Sequence, residues 1–568
     1  MKVMKAEQPA GPHVNGPSDG WVKPLSVREK LEGKQLLVTG CSGFIGKVFI
    51  GLLLDRVPEI RRIILLARPK KGKGAKERVS WLFERSPAFR HLREKHEEGL
   101  GDWLRERVLV VEGDVRYPHL GLSAFEAQNL AREIDAVIHV AGETDFEPDP
   151  IEAIAINTKG ALHAQEFARM SRGKRLLHVS TAFVAGMVSG RVEERIRRGI
   201  SPNGTPFDPW DELHAIESLC ASLSSKAPSP HEARKQRITY VSLRARSLGW
   251  PNIYTYTKGL AEHLVAGNGD VATCLVRPSI VESAREIPFS GWNEGVNTSA
   301  PIVWLVGTMH RHLPVASQHI FDVVPVDTAA RGILLALAEL MGGEHAPVYH
   351  LASGDTNPFT FGRAVDLTSL ARRRQYGESN NAFERWVLRH LDSVPSDTPP
   401  SEDLTLSLAR AAASKVKELW SNLDIARVAP RWTNHKFGEF ISKVAQQQSK
   451  QWSHLARTLA QVESMLERYQ PFIFDHNYVF VTEEIRRASQ RLEGEEKESL
   501  GWDVENIDWR DYWMNVQIPG LDRWSLPLLR GERVPDDPEL GLGISLECWR
   551  PVEELLPHKG AHQRSFGG

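Results

Sequence analysis

Thr39-Gly40-Cys41-Ser42-Gly43-Phe44-Ile45-Gly46 stands directly after the apolar run Leu36–Val38 and just before a second apolar stretch, Val48 to Val57. A short buried strand, a glycine-rich turn and an apolar helix, in that order, open a βαβ unit. Glycines at such a turn permit a tight bend, let the backbone approach a pyrophosphate and bring the helix close to the sheet, while the helix N-terminus attracts phosphate. Alone, the turn also fits an ordinary strand–helix corner. A second strand pattern at Ile63–Ala67, followed by Arg68, supplies the context of a dinucleotide site. ATP binding of the P-loop type is excluded, because Gly46-Lys47 is followed by Val48 rather than Ser or Thr, and position 41 is Cys rather than Gly.

Further strand-like runs follow at Val108–Glu112, Ala136–Ala141, Leu176–Ser180 and Ala272–Arg277, separated by helical patterns such as Ile151–Met170. This alternation of nearly all-apolar strands with helices predicts an α/β fold: a doubly wound parallel Rossmann-like sheet covered on both faces. Two stretches interrupt the rhythm. Lys70 to Glu106 is basic and helical, and Arg191 to Pro251 is a charged insertion with a Pro/Ser-rich centre, Ala227–Pro230. Insertions of that kind shape a pocket, act as lids or remain surface excursions. After Gly354 the composition shifts to polar linkers and long helical patterns, Leu404–Trp420 and Phe437–Gln470. The expected division is a loose arm over 1–33, a dinucleotide-binding domain over 34–354 with its insertion at 191–251, a mainly helical C-terminal domain over 355–525, and an irregular segment over 526–568. No internal repeat is present.

At 568 residues the chain exceeds one modest core, and two domains are expected. A formal net charge of -1 implies no global attraction to nucleic acid. Cys41, Cys220, Cys274 and Cys548 are scattered without a Cys-x-x-Cys pair, which argues for a reducing, cytoplasmic setting and no zinc site. His310 and His312 flank an arginine without an acidic partner and read as surface, so no metal is expected. The first residues lack the apolar core of a signal peptide. The most apolar stretches, Ala300–Met309 and Gly332–Met341, fall short of the roughly 18 residues that a membrane span needs, leaving a peripheral membrane contact open.

The second chemical motif is Tyr254-Thr255-Tyr256-Thr257-Lys258. Four residues apart on a helix, Tyr254 and Lys258 share a face. An ammonium beside a phenol lowers the phenol pKa from about 10 towards working pH. Tyr254 can then give a proton to a developing alkoxide while Lys258 also holds a nicotinamide ribose. Elsewhere in a chain, Tyr-x-x-x-Lys fits any amphipathic surface helix; here it follows the strands of a dinucleotide fold.

These motifs together resemble the fatty acyl-CoA reductases, extended short-chain dehydrogenase/reductases with a helical C-terminal region. The resemblance rests on Thr39–Gly46, Leu65-Leu66-Ala67-Arg68-Pro69-Lys70-Lys71-Gly72, Gly113-Asp114-Val115, His178-Val179-Ser180-Thr181-Ala182-Phe183-Val184, Tyr254–Lys258 and Val276-Arg277-Pro278-Ser279-Ile280-Val281. Pro288-Phe289-Ser290-Gly291-Trp292 matches a segment more particular to acyl reductases, and Tyr469–Asn477 and Ile507–Tyr512 are similar to the family's C-terminal region. The likeness spans about 34 to 525. It departs from tail-anchored members in lacking a C-terminal membrane span.

The resemblance implies a catalytic set of Thr181, Tyr254 and Lys258, with the Thr181 hydroxyl polarising the substrate carbonyl and Ser180 directed to the opposite face of its strand. It implies that Thr39, Gly40, Ser42, Gly43, Phe44, Ile45 and Gly46 cradle the cofactor. Asp114 and Val115 would flank the adenine, Ala141 and Gly142 the cofactor's middle, and Pro278, Ser279 and Val281 the nicotinamide amide. Arg68, supported by Lys70 and Lys71, stands where this fold reads the ribose 2′ position; a cation there with no acid points to NADPH. Phe289 and Trp292, with Ile302, Val303, Trp304 and Val306, are candidates to line an acyl tunnel.

The implied reaction is reduction of a long-chain acyl-CoA through an aldehyde to the primary alcohol, with release of CoA. Stopping at the aldehyde, or taking thioesters of acyl carrier protein, remains compatible with the same residues. A sugar-nucleotide epimerase or dehydratase of the same fold is opposed by Arg68 and the large C-terminal region. A non-catalytic binding protein is opposed by retention of both Tyr254 and Lys258.

Overall fold

The computed structural model describes residues 23–534 except 71, 267–268, 297–298, 309–310, 376–391, 397, 403 and 422–435. Its centre is a seven-stranded, wholly parallel sheet. The strands are β1 (Gln35–Thr39), β2 (Arg62–Ala67), β3 (Val108–Glu112), β4 (Ala136–His139), β5 (Arg175–Val179), β6 (Ala272–Pro278) and β7 (Val348–Leu351). Their order across the sheet is 7-6-5-4-1-2-3. β7 is a strand that the sequence pattern did not reveal; the six expected strands all form, within a few residues of their expected bounds.

Side-chain alternation explains why these strands are apolar throughout. Leu36, Val38, Ile63, Leu65, Val108 and Val110 enter one core, while Leu37, Ile64, Leu66, Leu109 and Val111 enter the other. Successive residues point to opposite faces, so a sheet covered on both sides needs an apolar residue at every position. On the first face lie two helices, Phe44–Arg56 and Val326–Gly342. The second is buried at every position from Val326 to Leu340, which accounts for its apolar run without any membrane. Among the described residues no helix is long and apolar enough to cross a bilayer.

The insertion forms two helices, Pro209–Lys226 and Pro230–Ser247, docked on the helix that carries Tyr254. Glu212 is the joint: it takes a 2.5 Å hydrogen bond from the Tyr256 hydroxyl and pairs with Arg244 at 2.5 Å. The two long helices of the C-terminal region, Leu404–Ser421 and Lys436–Gln470, also form.

The remaining C-terminal segments pack directly on the nucleotide-binding half. Tyr478–Phe480 pairs in parallel with Gly190–Val192. Trp502, Trp509, Trp513 and Trp524 belong to the same apolar cluster as β1 and β2. The Trp513 indole donates to Thr368 Oγ1 at 2.8 Å, and the Tyr512 hydroxyl donates to the Ser283 carbonyl at 2.7 Å. Within the expected N-terminal arm, residues 23–33 are part of this body. Val27–Leu31 is a helix capped by Ser26, with Leu25, Val27 and Leu31 buried and Glu496 accepting from the Val27 and Arg28 amides. The last described segment is likewise ordered into a short helix, Leu526–Leu529, with both end leucines buried.

A buried ion pair fixes β6 to the Tyr254 helix. Arg277 and Glu262 are 6% and 2% exposed, are joined through Nη2 at 2.5 Å and Nε at 2.9 Å, and Arg277 also donates to the Arg195 carbonyl. Removing one partner leaves the other charge buried and unpaired, so Glu262→Ala is expected to lose about 3 kcal/mol of stability. Apolar replacement of both partners should recover most of that loss. Denaturant unfolding of the single and double variants checks this.

Candidate active site

Between β1 and β4 the chain switches direction across the sheet, and the carboxyl ends of the strands diverge there into a crevice. A cavity of about 870 Å³ occupies that place. Its floor is the glycine turn. Gly40 takes φ +77, and a Cβ there would stand 2.5 Å from the Ala141 nitrogen; one on Gly46 would collide with the Gly40 carbonyl oxygen. By contrast, a Cβ on Gly43 would have only that oxygen nearby, at 3.4 Å. Thus Gly40 and Gly46 are required for packing, whereas Gly43 leaves room on the cavity side. The helix Phe44–Arg56 starts there, with its free amides at the cavity. Such a cradle fits a dinucleotide pyrophosphate.

Thr39, Gly40, Ser42, Gly43, Phe44, Ile45 and Gly46 all line the cavity, as do Arg68, Asp114, Val115, Ala141, Gly142, Ser279 and Val281. Lys71 lies outside the described residues. Pro278, at the end of β6, is buried and does not line the cavity. Burial alone would raise the Asp114 carboxyl, but Arg116, bonded to it at 2.7 Å, holds it below the usual carboxylate range.

Phe289 and Trp292 do not line the cavity. Phe289 packs under the Arg90 guanidinium and near Trp524, and Trp292 is 2% exposed against Phe44. Ile302, Val303, Trp304 and Val306 are buried on a helix that is apolar on every side. These residues are core, because that helix is enclosed by other helices all round. An aromatic wall from three distant segments takes their place. Phe146 lies flat over Tyr254 at 6.0 Å, with Tyr469 and Phe472 against it at 5.2 and 5.5 Å, and Phe183 against Phe472 at 5.0 Å. Met465, Arg468 and Tyr469, from the end of Lys436–Gln470, face the cavity. No residue of the insertion 191–251 does.

Thr181, Tyr254 and Lys258 converge. Thr181 stands beside the Tyr254 hydroxyl and favours its ionised form, and the Lys258 ammonium donates to the Val179 carbonyl at 3.0 Å. Ser180 follows the end of β5 at Val179 and, like Thr181, borders the cavity. The buried Ser180 Oγ has no partner. The expectation that lysine lowers the tyrosine pKa is corrected: burial pushes Tyr254 up to about 12, partly offset by Thr181. Burial also pushes Lys258 down to about 8, with Glu262 opposing. The ammonium is directed at the strand-end carbonyl rather than at the phenol.

Sequence reading missed several groups. Asn157 sits in a widened turn, Ile154–Lys159, where its amide donates to the Glu143 carbonyl and Thr257 Oγ1, both at 3.0 Å. It thereby joins the loop after β4 to the Tyr254 helix. A polar residue interrupting an apolar helix face was its only signal, and such widened turns gather at functional sites. Arg78 lines the cavity beside Arg68 and the expected Lys70, and the Arg78 guanidinium donates to the Arg68 carbonyl. Below the floor, His139 stacks on His178 at 5.2 Å and pairs with Thr39 Oγ1 at 2.9 Å. Burial first, then Lys258, pushes His139 down to about 3 and His178 well below its usual value, so both are neutral.

Comparison with known proteins identifies the family. The male sterility protein family, an NAD-binding family, matches residues 38–333. The chain belongs to that family, the fatty acyl-CoA reductases. It is 28% identical over 527 residues to fatty acyl-CoA reductase 2, chloroplastic, of Arabidopsis thaliana, covering 89% of this chain and 80% of the relative. It is 26% identical over 508 residues to the alcohol-forming fatty acyl-CoA reductase of Simmondsia chinensis, covering 87% and 98%. Among solved structures it is similar to the terminal R domain of the myxalamid PKS-NRPS pathway, at 21% identity and a TM-score of 0.41 over 63% of this chain and 78% of that one. The family match bears out the resemblance read from the motifs, and the parallel sheet of the chain itself bears out the Rossmann-like fold.

The depressed Lys258 pKa has a consequence for stability. Below pH 8 folded and unfolded chains both hold the proton; between 8 and 10.5 only the unfolded chain does. The burial cost is therefore fully present below about pH 8 and gone above 10.5. Relative to the parent, Lys258→Met should lose about 3 kcal/mol of stability as pH rises across that window. Denaturant unfolding of both proteins at pH 7 and pH 10.5 measures the difference.

Proposed function

We propose that this protein reduces long-chain acyl thioesters, acyl-CoA foremost, with NADPH, and carries them through the aldehyde to the primary alcohol. One observation carries the reading: a single cavity runs from the Arg68 and Arg78 cations, over the glycine turn, past Thr181, Tyr254 and Lys258, to the aromatic wall of Phe146 and Tyr469. That sequence of surfaces suits a phosphorylated dinucleotide at one end and an apolar chain at the other.

Bound NADPH would supply the hydride. Thr39–Gly46 would hold its pyrophosphate, Asp114 and Val115 its adenine side, and Arg68 with Arg78 its 2′-phosphate through charge-assisted hydrogen bonds. Lys258, bound to the Val179 carbonyl and close to Gly142, is positioned for the ribose. Thr181 and Tyr254 would donate to the carbonyl oxygen of the thioester, stabilising the negative charge that develops there by a few kcal/mol. A phenol with a pKa of about 12 keeps its proton until an alkoxide forms, so Tyr254 acts as the acid. Collapse of the hemithioacetal expels the thiolate, and the aldehyde then presents its carbonyl to the same two hydroxyls. Phe146, Phe183, Met465 and Tyr469 would cover the chain and exclude water.

Two measurements test this. Arg68→Ala and Arg78→Ala should each weaken NADPH by roughly tenfold or more while changing NADH little, because only the phosphate is addressed. Equal losses for both cofactors reject the NADPH assignment. Counting NADPH consumed per thiol released from a long-chain acyl-CoA should give a ratio near two, with alcohol as product. A ratio near one with accumulating aldehyde rejects the four-electron outcome, and no thiol release rejects the thioester. Tyr254→Phe should bind NADPH and release no thiol.

A further inference from the structure

Residues 292–296 form a strap beside the dinucleotide turn. Trp292 is buried against Phe44, the first residue of the helix that follows the turn, with ring centroids 5.2 Å apart. Asn293 is 1% exposed and donates to Ser283 Oγ at 2.9 Å. Beyond these anchors, Glu294, Gly295 and Val296 line the same cavity as Thr39–Gly46. Val296 is half-buried against the apolar core, and Glu294 is joined to the turn by an ion pair: both its carboxylate oxygens lie 2.5 Å from the Lys47 ammonium.

The pair is unequal. The Lys47 side chain is 4% exposed, while that of Glu294 is 44% exposed. Lys47 directly follows the last glycine of the turn, so its charge is fixed to the helix that would face the pyrophosphate. Glu294 sits on the more open side of the pair: the neighbouring Gly295 takes φ +83, and an added Cβ there would touch nothing within 4 Å. A left-handed glycine in open space allows rotation at little cost. A free carboxylate at this position would also repel a pyrophosphate; pairing with Lys47 neutralises it.

We propose that Lys47 and Glu294 are a clasp that closes residues 294–296 over the dinucleotide turn and limits how fast the cofactor associates and leaves. The proposal rests on the dinucleotide reading of the cavity. It bears on the reaction directly, since alcohol formation requires one oxidised cofactor to leave and a reduced one to bind while the aldehyde is retained. Neither Lys47 nor Glu294 needs to touch the reacting carbonyl for this; they are positioning residues.

Stopped-flow mixing of the full-length protein with NADPH, and in parallel with NADH, gives both rate constants from the nicotinamide fluorescence. Glu294→Gln and Lys47→Met should each raise association and release together, by roughly tenfold, so the dissociation constant moves less than either rate. The exchanged pair, Lys47→Glu with Glu294→Lys, should return both rates towards those of the parent. Release that quickens while association stays unchanged would overturn the clasp, making the pair a simple cofactor contact; unchanged rates would overturn it too. Glu294 faces solvent, so its variant keeps the test valid if a Lys47 variant misfolds. Because the effect is read on whichever dinucleotide binds, a preference for NADH would reject the NADPH assignment and leave the clasp to be judged on NADH.

Discussion

The contact between Gly40 and the backbone at Val140 and Ala141 sets the geometry of everything above the sheet. An added Cβ at Gly40 would stand 2.5 Å from one nitrogen and 2.8 Å from a carbonyl carbon, so β1 and β4 can end this close together only with glycine there. From that contact the turn rises, the helix Phe44–Arg56 begins against the sheet, and the loop after β4 is directed towards Lys258. Gly142 continues the constraint: a Cβ there would lie 3.0 Å from the Lys258 ammonium and 3.4 Å from Asn157 Oδ1. The two halves of the site, one on each side of the crevice, thus meet where bare glycine backbone lies against the Lys258 and Asn157 side chains.

Electrostatics in the site follow from enclosure. Burial favours the neutral form of every group it reaches, raising Tyr254 and lowering Lys258, His139 and His178. The consequences differ by role. A phenol that holds its proton firmly is suited to give it up only to an alkoxide, whereas a lysine near 8 remains charged at neutral pH and becomes sensitive to any anion brought beside it. Glu262, itself held by Arg277, is the nearby charge that keeps Lys258 from falling further. The buried ion pair of the fold and the ionisation of the site are therefore one system.

The C-terminal segments complete the enclosure. Their tryptophans share a core with the sheet, and the last turn of Lys436–Gln470 brings Met465, Arg468 and Tyr469 to the cavity. Arg468 reaches towards Asp145 and Glu147 on the loop that carries Phe146, at 3.8 and 3.5 Å, so the aromatic wall is held at both ends. Without that helix, Phe146 would lose the Tyr469 ring packed against it.

Sequence by itself determined six of the seven strands of the sheet, the glycine turn and the Tyr254–Lys258 pair, because each is a local pattern: apolar runs over a few residues, a backbone that only glycine can take, two side chains one helical turn apart. It also placed Arg68 at the end of β2, since strand ends follow from strand limits. What only the tertiary structure decided is which surface meets which. Phe289 and Trp292 had the right chemistry for an apolar tunnel but lie away from the cavity, Trp292 buried and Phe289 half-buried under Arg90, while Phe146 and Tyr469, more than three hundred residues apart, line it. Asn157, Arg78 and the Lys47–Glu294 pair carried no distinctive spacing, because their partners are distant in sequence. The Tyr254 pKa moved opposite to expectation for the same reason: a neighbour four residues away is legible in sequence, whereas the depth of burial is a sum over the whole fold.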